Sequence, residues 1–462
     1  MTNDFAYLGI RDLARMLRSG ETTPVALAES AMDRLETVGR RLNAVVTMTR
    51  ERALAEARQA QAELAAGHDR GLLHGIPYGA KDLLATAGIP TTWGAAPLRD
   101  QVFDYDATAI VRLQAAGAVL VAKLAMVELA GGMGYEQPNA SLTGPGINPW
   151  NENAWSGGSS SGSGSAVGAG CVPFAIGSET WGSIVTPASY CGIAGLRPTY
   201  GRVSRHGAMA LCWTLDKLGP LARTADDCGL VLGALAGSDP LDPTTIATPW
   251  TYRASLPERL RLGVLREGLE AAQPEVQESF QTSLETLAEL GTLEDAQLPD
   301  LPYADATSII LQVEAAAAME DLLEKDLLKD LTAPEDRAGG YAGSAIPAVD
   351  YLRALRIRRH ARAALAEVFQ RYDALVSPTT DLVASPLDLR FRDYAANRRG
   401  SPIGAAGNLA GLPALSVPNG FGERGLPTAL QFVGAAGSEN LLLALGAAYQ
   451  ERTDWHGRRP GI

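Results

Sequence analysis

Gly157-Gly158-Ser159-Ser160-Ser161-Gly162-Ser163-Gly164-Ser165 and, one short apolar stretch later, Gly177-Ser178-Glu179-Thr180-Trp181-Gly182-Ser183 decide how this chain is read. Between them, Ala166 to Ile176 is small and apolar enough to cross a core. Glycine lets backbone approach backbone and tolerates positive φ. Serine supplies a hydroxyl that donates, accepts or, beside a base, attacks. Two such loops can hold two hydroxyls and several free N–H groups in one pocket, the equipment of an acyl-transfer site. A flexible linker has the same composition, but a linker joins segments that differ in character. Here Asn148-Pro149-Trp150-Asn151 precedes the first cluster, an apolar segment follows it, and both sides look globular.

Outside the loops, the 462 residues are 46% hydrophobic and 20% charged, an ordinary globular balance. A net charge of −12 disfavours a dedicated surface for nucleic acid or anionic membrane. Neither nucleic acid nor membrane is therefore expected as a partner. The four cysteines, Cys171, Cys191, Cys212 and Cys228, form no C-x-x-C pair and read as buried thiols. The five histidines show no metal-ligand spacing, so no metal site is suggested. Met1-Thr2-Asn3-Asp4-Phe5 lacks the basic region of a signal peptide, and no apolar run approaches about 18 residues. The expected location is cytoplasmic.

Apolar periodicity predicts helix from about Pro24 to Ala66, started by Thr23 with proline in the first turn. Gly75–Asp82 reads as a strand end, 108–116 as helix and 118–123 as a buried strand. Later strands are expected at 375–378, 414–418 and 428–433, and a closing helix at 440–450. Helix and strand in alternation predict an α/β fold. From about Asp239 to Pro347 the chain turns acidic and helix-rich, with loops at Pro299–Pro302 and Gly339–Gly340. This stretch is expected to be a variable helical layer or subdomain within a single domain spanning 1–462.

Amide hydrolysis needs a strong nucleophile and a protonated leaving nitrogen, and serine attacks only when a base takes its proton. Neither loop contains histidine. His74 and His206 lie nearest in sequence, and a lone histidine is more often structural. Lysine is the other option, since burial lowers its pKa towards neutrality. Lys81 sits in an otherwise apolar, small-residue run, Ile76 to Leu84. An ion pair with Asp82 would explain it equally, but adjacent residues on a strand point to opposite faces.

These stretches resemble the amidase signature family of serine hydrolases. The matching segments are Gly75–Asp82, Gly157–Ser165, Gly177–Ser183 and Cys191-Gly192-Ile193-Ala194-Gly195-Leu196-Arg197-Pro198-Thr199. Asn148–Asn151, Leu215-Asp216-Lys217-Leu218-Gly219-Pro220 and Asn408-Leu409-Ala410-Gly411-Leu412-Pro413-Ala414 support them. The similarity reaches from near the N-terminus to Arg459 and thins between Asp239 and Pro347. The resemblance implies one large domain with a mixed β-sheet core flanked by helices. It also implies a Ser–cisSer–Lys set: Ser183 as nucleophile, Ser159 as the bridge with a cis peptide before it, and Lys81 as base. Backbone N–H groups of Thr180, Trp181, Gly182 and Ser183 would form the oxyanion hole, with Ser178 and Glu179 supporting the loop from behind.

Three positions depart from the family pattern. Glu179 stands where Asp is usual, Trp181 where Gly is usual, and Val185 where Arg is usual. With that arginine absent, Glu179 is expected to find loop N–H groups, a hydroxyl, or an outside arginine such as Arg197 or Arg202. The resemblance implies an amidase that hydrolyses a small-molecule carboxamide through a seryl acyl-enzyme, releasing carboxylate and ammonia or amine and requiring no cofactor. A homodimer is compatible with it. The alternative is the ammonia-releasing A component of a glutamine-dependent tRNA amidotransferase, resembled in Tyr200-Gly201-Arg202-Val203-Ser204-Arg205. An Arg-Arg-Ile-x-Leu-Gly-Thr-like stretch associated with that component's glutamine site has no clear counterpart, and the nearest basic run, Arg356–His360, reads as helix. A non-catalytic binding protein on this scaffold is disfavoured by the intact Lys81, Ser159 and Ser183.

Overall fold

Val45-Val46-Thr47 is a β-branched run inside the stretch expected to be helical, and it prevails. The computed structural model describes residues 5–395 and 402–462. In it the helix Pro24–Arg34 ends in a π-turn, Val45–Met48 becomes a strand, and a second helix covers Arg50–Ala65. Branched side chains favour the pleated surface, and this strand pairs antiparallel with Val119–Leu124. The predicted helix start holds: the Thr23 hydroxyl accepts from Ala26 N at 3.2 Å, and Pro24 opens the first turn.

Eleven strands form one mixed sheet. In spatial order they are Val45–Met48, Val119–Leu124, Pro77–Lys81, Phe174–Glu179, Lys217–Ala222, Ala194–Arg197, Ala414–Phe421, Pro427–Gly434, Ala374–Pro378, Arg261–Leu265 and Thr292–Ala296. The centre is antiparallel, while Pro77–Lys81 runs parallel to both its neighbours and the last three strands are mutually parallel. Every residue of Pro77–Lys81, Val119–Leu124 and Lys217–Ala222 is buried, as expected where helices cover both faces. A buried strand has no solvent for a charged side chain, so its lysines must find partners inside.

From Ser161 onward the first Gly/Ser run is a helix, Ser161–Gly168, buried along its whole length. Its composition follows from how closely it is approached. A Cβ on Gly162 would lie 2.4 Å from Ala44 O, and one on Gly164 would lie 2.9 Å from Pro187 Cβ. The serines return their hydroxyls to nearby carbonyls, Ser163 to Ile176 O at 3.2 Å and Ser165 to Ile147 O at 2.8 Å. Nothing in this segment behaves as a linker.

Between 239 and 347 the chain supplies two strands of the large sheet as well as helices, with Pro274–Ala288 crossing between them. Gly339 and Gly340, expected in a loop, lie inside the helix Asp336–Ser344. Glycine is needed there for close approach: a Cβ at 339 would sit 1.7 Å from Met133 O. The closing helix is Glu439–Arg452. All four cysteines are buried and unpaired. No helix among the described residues is long and apolar enough to cross a membrane.

Candidate active site

Lys81 ends the strand Pro77–Lys81, and its side chain is completely buried. Its Nζ donates to Ser159 Oγ at 2.7 Å and to Ser178 Oγ at 2.9 Å. Burial penalises the ammonium and brings its pKa down to about 7; Asp216 and Glu179 partly offset that. Asp82 does not pair with it. Asp82 turns the other way along the strand, to Lys123 at 3.1 Å.

Two loops meet at this lysine. The Gly158–Ser159 peptide is cis. Gly157 has φ +85°, and a Cβ there would lie 2.8 Å from Pro187 Cα. Ser159 O accepts from Val127 N at 3.1 Å, while Ser160 N donates to Ser183 O at 3.3 Å. The Ser160 hydroxyl lies 3.3 Å from both Ser178 N and Ser178 O. The two clusters are thus stitched together by backbone and hydroxyl contacts rather than by packing alone.

Ser183 lies in the turn between the strand Phe174–Glu179 and the helix Val185–Cys191, half-buried and reachable. Gly182 before it takes φ +90°, which a side chain would resist. Among the described residues, the N–H groups of Trp181, Gly182 and Ser183 donate to nothing, and no hydrogen bond joins Ser183 Oγ to Ser159 Oγ. The Thr180 hydroxyl is occupied, donating to Asp216 Oδ1 at 2.5 Å. The Trp181 indole is 39% exposed and walls a cavity of about 280 Å3 that also meets Gly182, Thr186, Asp381, Asn408 and Gln431.

Glu179 is fully buried. Its Oε1 accepts from Arg197 Nη1 at 2.8 Å and Asn408 Nδ2 at 3.0 Å; its Oε2 accepts from Ile184 N at 2.9 Å and Val185 N at 3.1 Å. Burial alone would raise its pKa, but Arg197 and Lys217 outweigh this, with the Arg197 hydrogen bond and the Ile184 N–H, and hold it at about 2. Of the two arginines considered from sequence, Arg197 is the partner; Arg202 turns to Glu439 at 3.4 Å. The carboxylate therefore bridges the start of the helix after Ser183 to the strand Ala194–Arg197.

His74 is buried beside Glu63, with 3.2 Å between Nε2 and Oε2. His206 lies against Thr108 and Tyr105. Neither bonds to Lys81, Ser159 or Ser178. Sequence reasoning assigned no role to Asp216, Lys217 or Asn408, although all three lie in quoted motif segments. The one available signal was two adjacent charges, Asp216-Lys217, heading an otherwise apolar strand.

The Amidase family matches residues 26–443, and the chain belongs to that family. The A component of the glutamyl-tRNA(Gln) amidotransferase of Roseiflexus sp. (strain RS-1) is 40% identical over 484 residues, covering 98% of both chains. The peptide amidase of Stenotrophomonas maltophilia superposes with a TM-score of 0.84 at 31% identity, covering 99% of each chain. The A component of the glutamyl-tRNA(Gln) amidotransferase of Thermotoga maritima gives 0.82 at 26% identity, over 100% of this chain and 98% of that one. The single α/β domain with a large mixed sheet is the fold these neighbours share.

The expectation of no nucleic acid among the partners is corrected by the amidotransferase relatives, whose names carry tRNA and call them subunits. Net charge was the basis of that expectation. A whole-chain charge of −12 reports the average surface and is silent about what a partner subunit brings.

Proposed function

We propose that this chain hydrolyses a carboxamide C–N bond and does so as the ammonia-releasing subunit of a glutamine-dependent tRNA amidotransferase. Identity of 38–40% along 98–99% of this chain to several such subunits carries the second half of this reading. The site supports the first half. Lys81, neutral above its lowered pKa, takes a proton from Ser159, which takes one from Ser183. Ser183 Oγ attacks the carbonyl carbon, and the unengaged N–H groups at 181–183, with that of Thr180, receive the oxyanion. Such preorganised donors contribute roughly 3–4 kcal/mol each. The proton returns through Ser159 to the leaving nitrogen, the C–N bond breaks, and water then releases the carboxylate from Ser183. Ser178 holds Lys81 from its second side, and Glu179 fixes the loop's exit. Substrate binding closes the gap between Ser183 and Ser159, since catalytic hydrogen bonds often tighten only in the complex.

The test is ammonia release from glutamine by the chain alone, and with its co-expressed partner subunits and glutamyl-tRNA. Strong stimulation by partners and tRNA is expected. Efficient cleavage of simple amides by the lone chain, without glutaminase activity, would favour the second reading, an amidase acting alone. One observation favours that second reading. Arg358, in the basic run nearest the expected glutamine-site stretch, is committed to Leu409 O at 3.0 Å and Thr214 O at 2.5 Å.

A further inference from the structure

We propose that Asp216 and Lys217 are positioning residues that clamp Thr180 from two sides and thereby set the oxyanion-binding end of the site. The inference rests on Ser183 being the nucleophile. In the antiparallel pairing of Phe174–Glu179 with Lys217–Ala222, Glu179 faces Lys217, so the next residues, Thr180 and Asp216, come together just beyond the strand ends. Asp216 is completely engaged. Its Oδ1 takes the Thr180 hydroxyl at 2.5 Å, and its Oδ2 takes Leu211 N at 2.8 Å and Cys212 N at 2.9 Å. The carboxylate thus ties the nucleophile loop to the 211–212 turn, one wall of a cavity of about 190 Å3 that also reaches Ser178 and Thr180.

Lys217 acts on the other side of the same residue. Buried to 2% exposure, its Nζ donates to Thr180 O at 3.4 Å and to Leu215 O. Among the described residues it has only these carbonyl partners. The Thr180 carbonyl and the Trp181 N–H belong to one peptide group. A donor on the carbonyl polarises that group and strengthens its N–H, because hydrogen bonds in a chain reinforce one another. The Trp181 N–H is one of the donors left unengaged beside Ser183. Hydroxyl and carbonyl together fix the orientation of Thr180, and with it the direction in which that N–H points.

Asp216 also acts on the base, through its charge rather than by contact. The charged groups around Lys81 are Asp216 and Glu179; those around Asp216 include Arg205; those around Lys217 are Arg197, Glu179 and Asp216. A carboxylate favours the ammonium form, so removing its charge lowers the Lys81 pKa. That shift follows from the charge alone, so the clamp itself is read from the split between kcat and KM and from Thr180→Val, which keeps the charge.

The experiment measures kcat and KM against pH for the full chain, in whichever assembly proves active, alongside fluorophosphonate labelling of Ser183. Asp216→Asn is expected to lower kcat at least tenfold with KM within twofold, and to move the acid limb to lower pH. Thr180→Val is expected to lower kcat similarly without moving the limb. The double variant should be no worse than the poorer single one, since both remove one contact. Lys217→Met is expected to lower kcat several-fold with KM held. Should Asp216→Asn fail to fold, Thr180→Val and Lys217→Met carry the test by the split between kcat and KM. Unchanged kcat in these variants, or losses that simply multiply, overturns the clamp. If Ser183 of the wild type resists labelling, the functional reading fails; if it labels while the variants lose nothing, only this inference fails.

Discussion

Lys81 and Lys123 stand on neighbouring parallel strands, both completely buried, yet they meet different chemistry. Lys123 Nζ reaches Asp82 Oδ1 at 3.1 Å and the Thr91 hydroxyl at 2.7 Å, while Asp82 Oδ2 takes Thr92 N and its hydroxyl at 2.9 and 2.5 Å. Burial lowers the pKa of Lys123, and Asp82 opposes that. Among the described residues Lys81 Nζ hydrogen-bonds only to hydroxyls, those of Ser159 and Ser178, and burial brings its pKa down to about 7. Burial alone does not make a base. A buried lysine with a carboxylate is a structural ion pair, whereas one facing hydroxyls can shed its proton near neutral pH and accept another.

The comparison breaks most visibly on activity. Lys81→Ala and Ser183→Ala are each expected to lower kcat by about 10⁴-fold or more, since a catalytic unit fails with any core member. A loss below tenfold in either variant would remove that residue from the role assigned to it. Lys123→Met should instead act on stability. Leaving Asp82 buried and unpaired costs about 3–5 kcal/mol, read as a lowered urea midpoint, and Asp82→Asn added to it should recover part of that loss. Unchanged stability in Lys123→Met would collapse the distinction between the two lysines.

Acidity sharpens it next. With Lys81 acting as a neutral base, kcat/KM should fall about tenfold per pH unit below the Lys81 pKa and level off above it, with the bend near pH 7. A flat profile from pH 5 to 9 would point to another base. The smallest effect belongs to Glu179. Its folded pKa of about 2 lies below the ordinary 4.5. The stability it adds is therefore fully present above about 4.5 and is lost as pH falls towards 2. Glu179→Gln should lower kcat severalfold and flatten the stability loss over that acid range, and Glu179→Ala should lower the melting temperature as well. An Ala variant with unchanged melting and rate would show that the loop does not depend on this carboxylate.

By itself the sequence singled out the segments to which we assign the chemistry. Lysine in an apolar run, two Gly/Ser clusters and a stranded glutamate are local anomalies, legible because each breaks a compositional rule. The family resemblance added the mixed sheet, and periodicity found most of its inner strands. Tertiary structure decided what depends on pairing across long distances. Val45–Met48 is a strand because Val119–Leu124 lies beside it, and the 261–296 stretch extends the sheet by its last two strands because Ala374–Pro378 offers the first of them, Arg261–Leu265, a partner and that strand in turn pairs with Thr292–Ala296. Gly162, Gly164 and Gly339 are glycine because other parts of the chain come too close for a Cβ. Arg197 rather than Arg202 meets Glu179, and Asp82 turns to Lys123 rather than Lys81, because sheet register and strand alternation aim side chains. A buried charge is settled by whatever neighbour the fold delivers, and that neighbour is 18 residues away for Glu179 and Arg197 and 36 for Thr180 and Asp216.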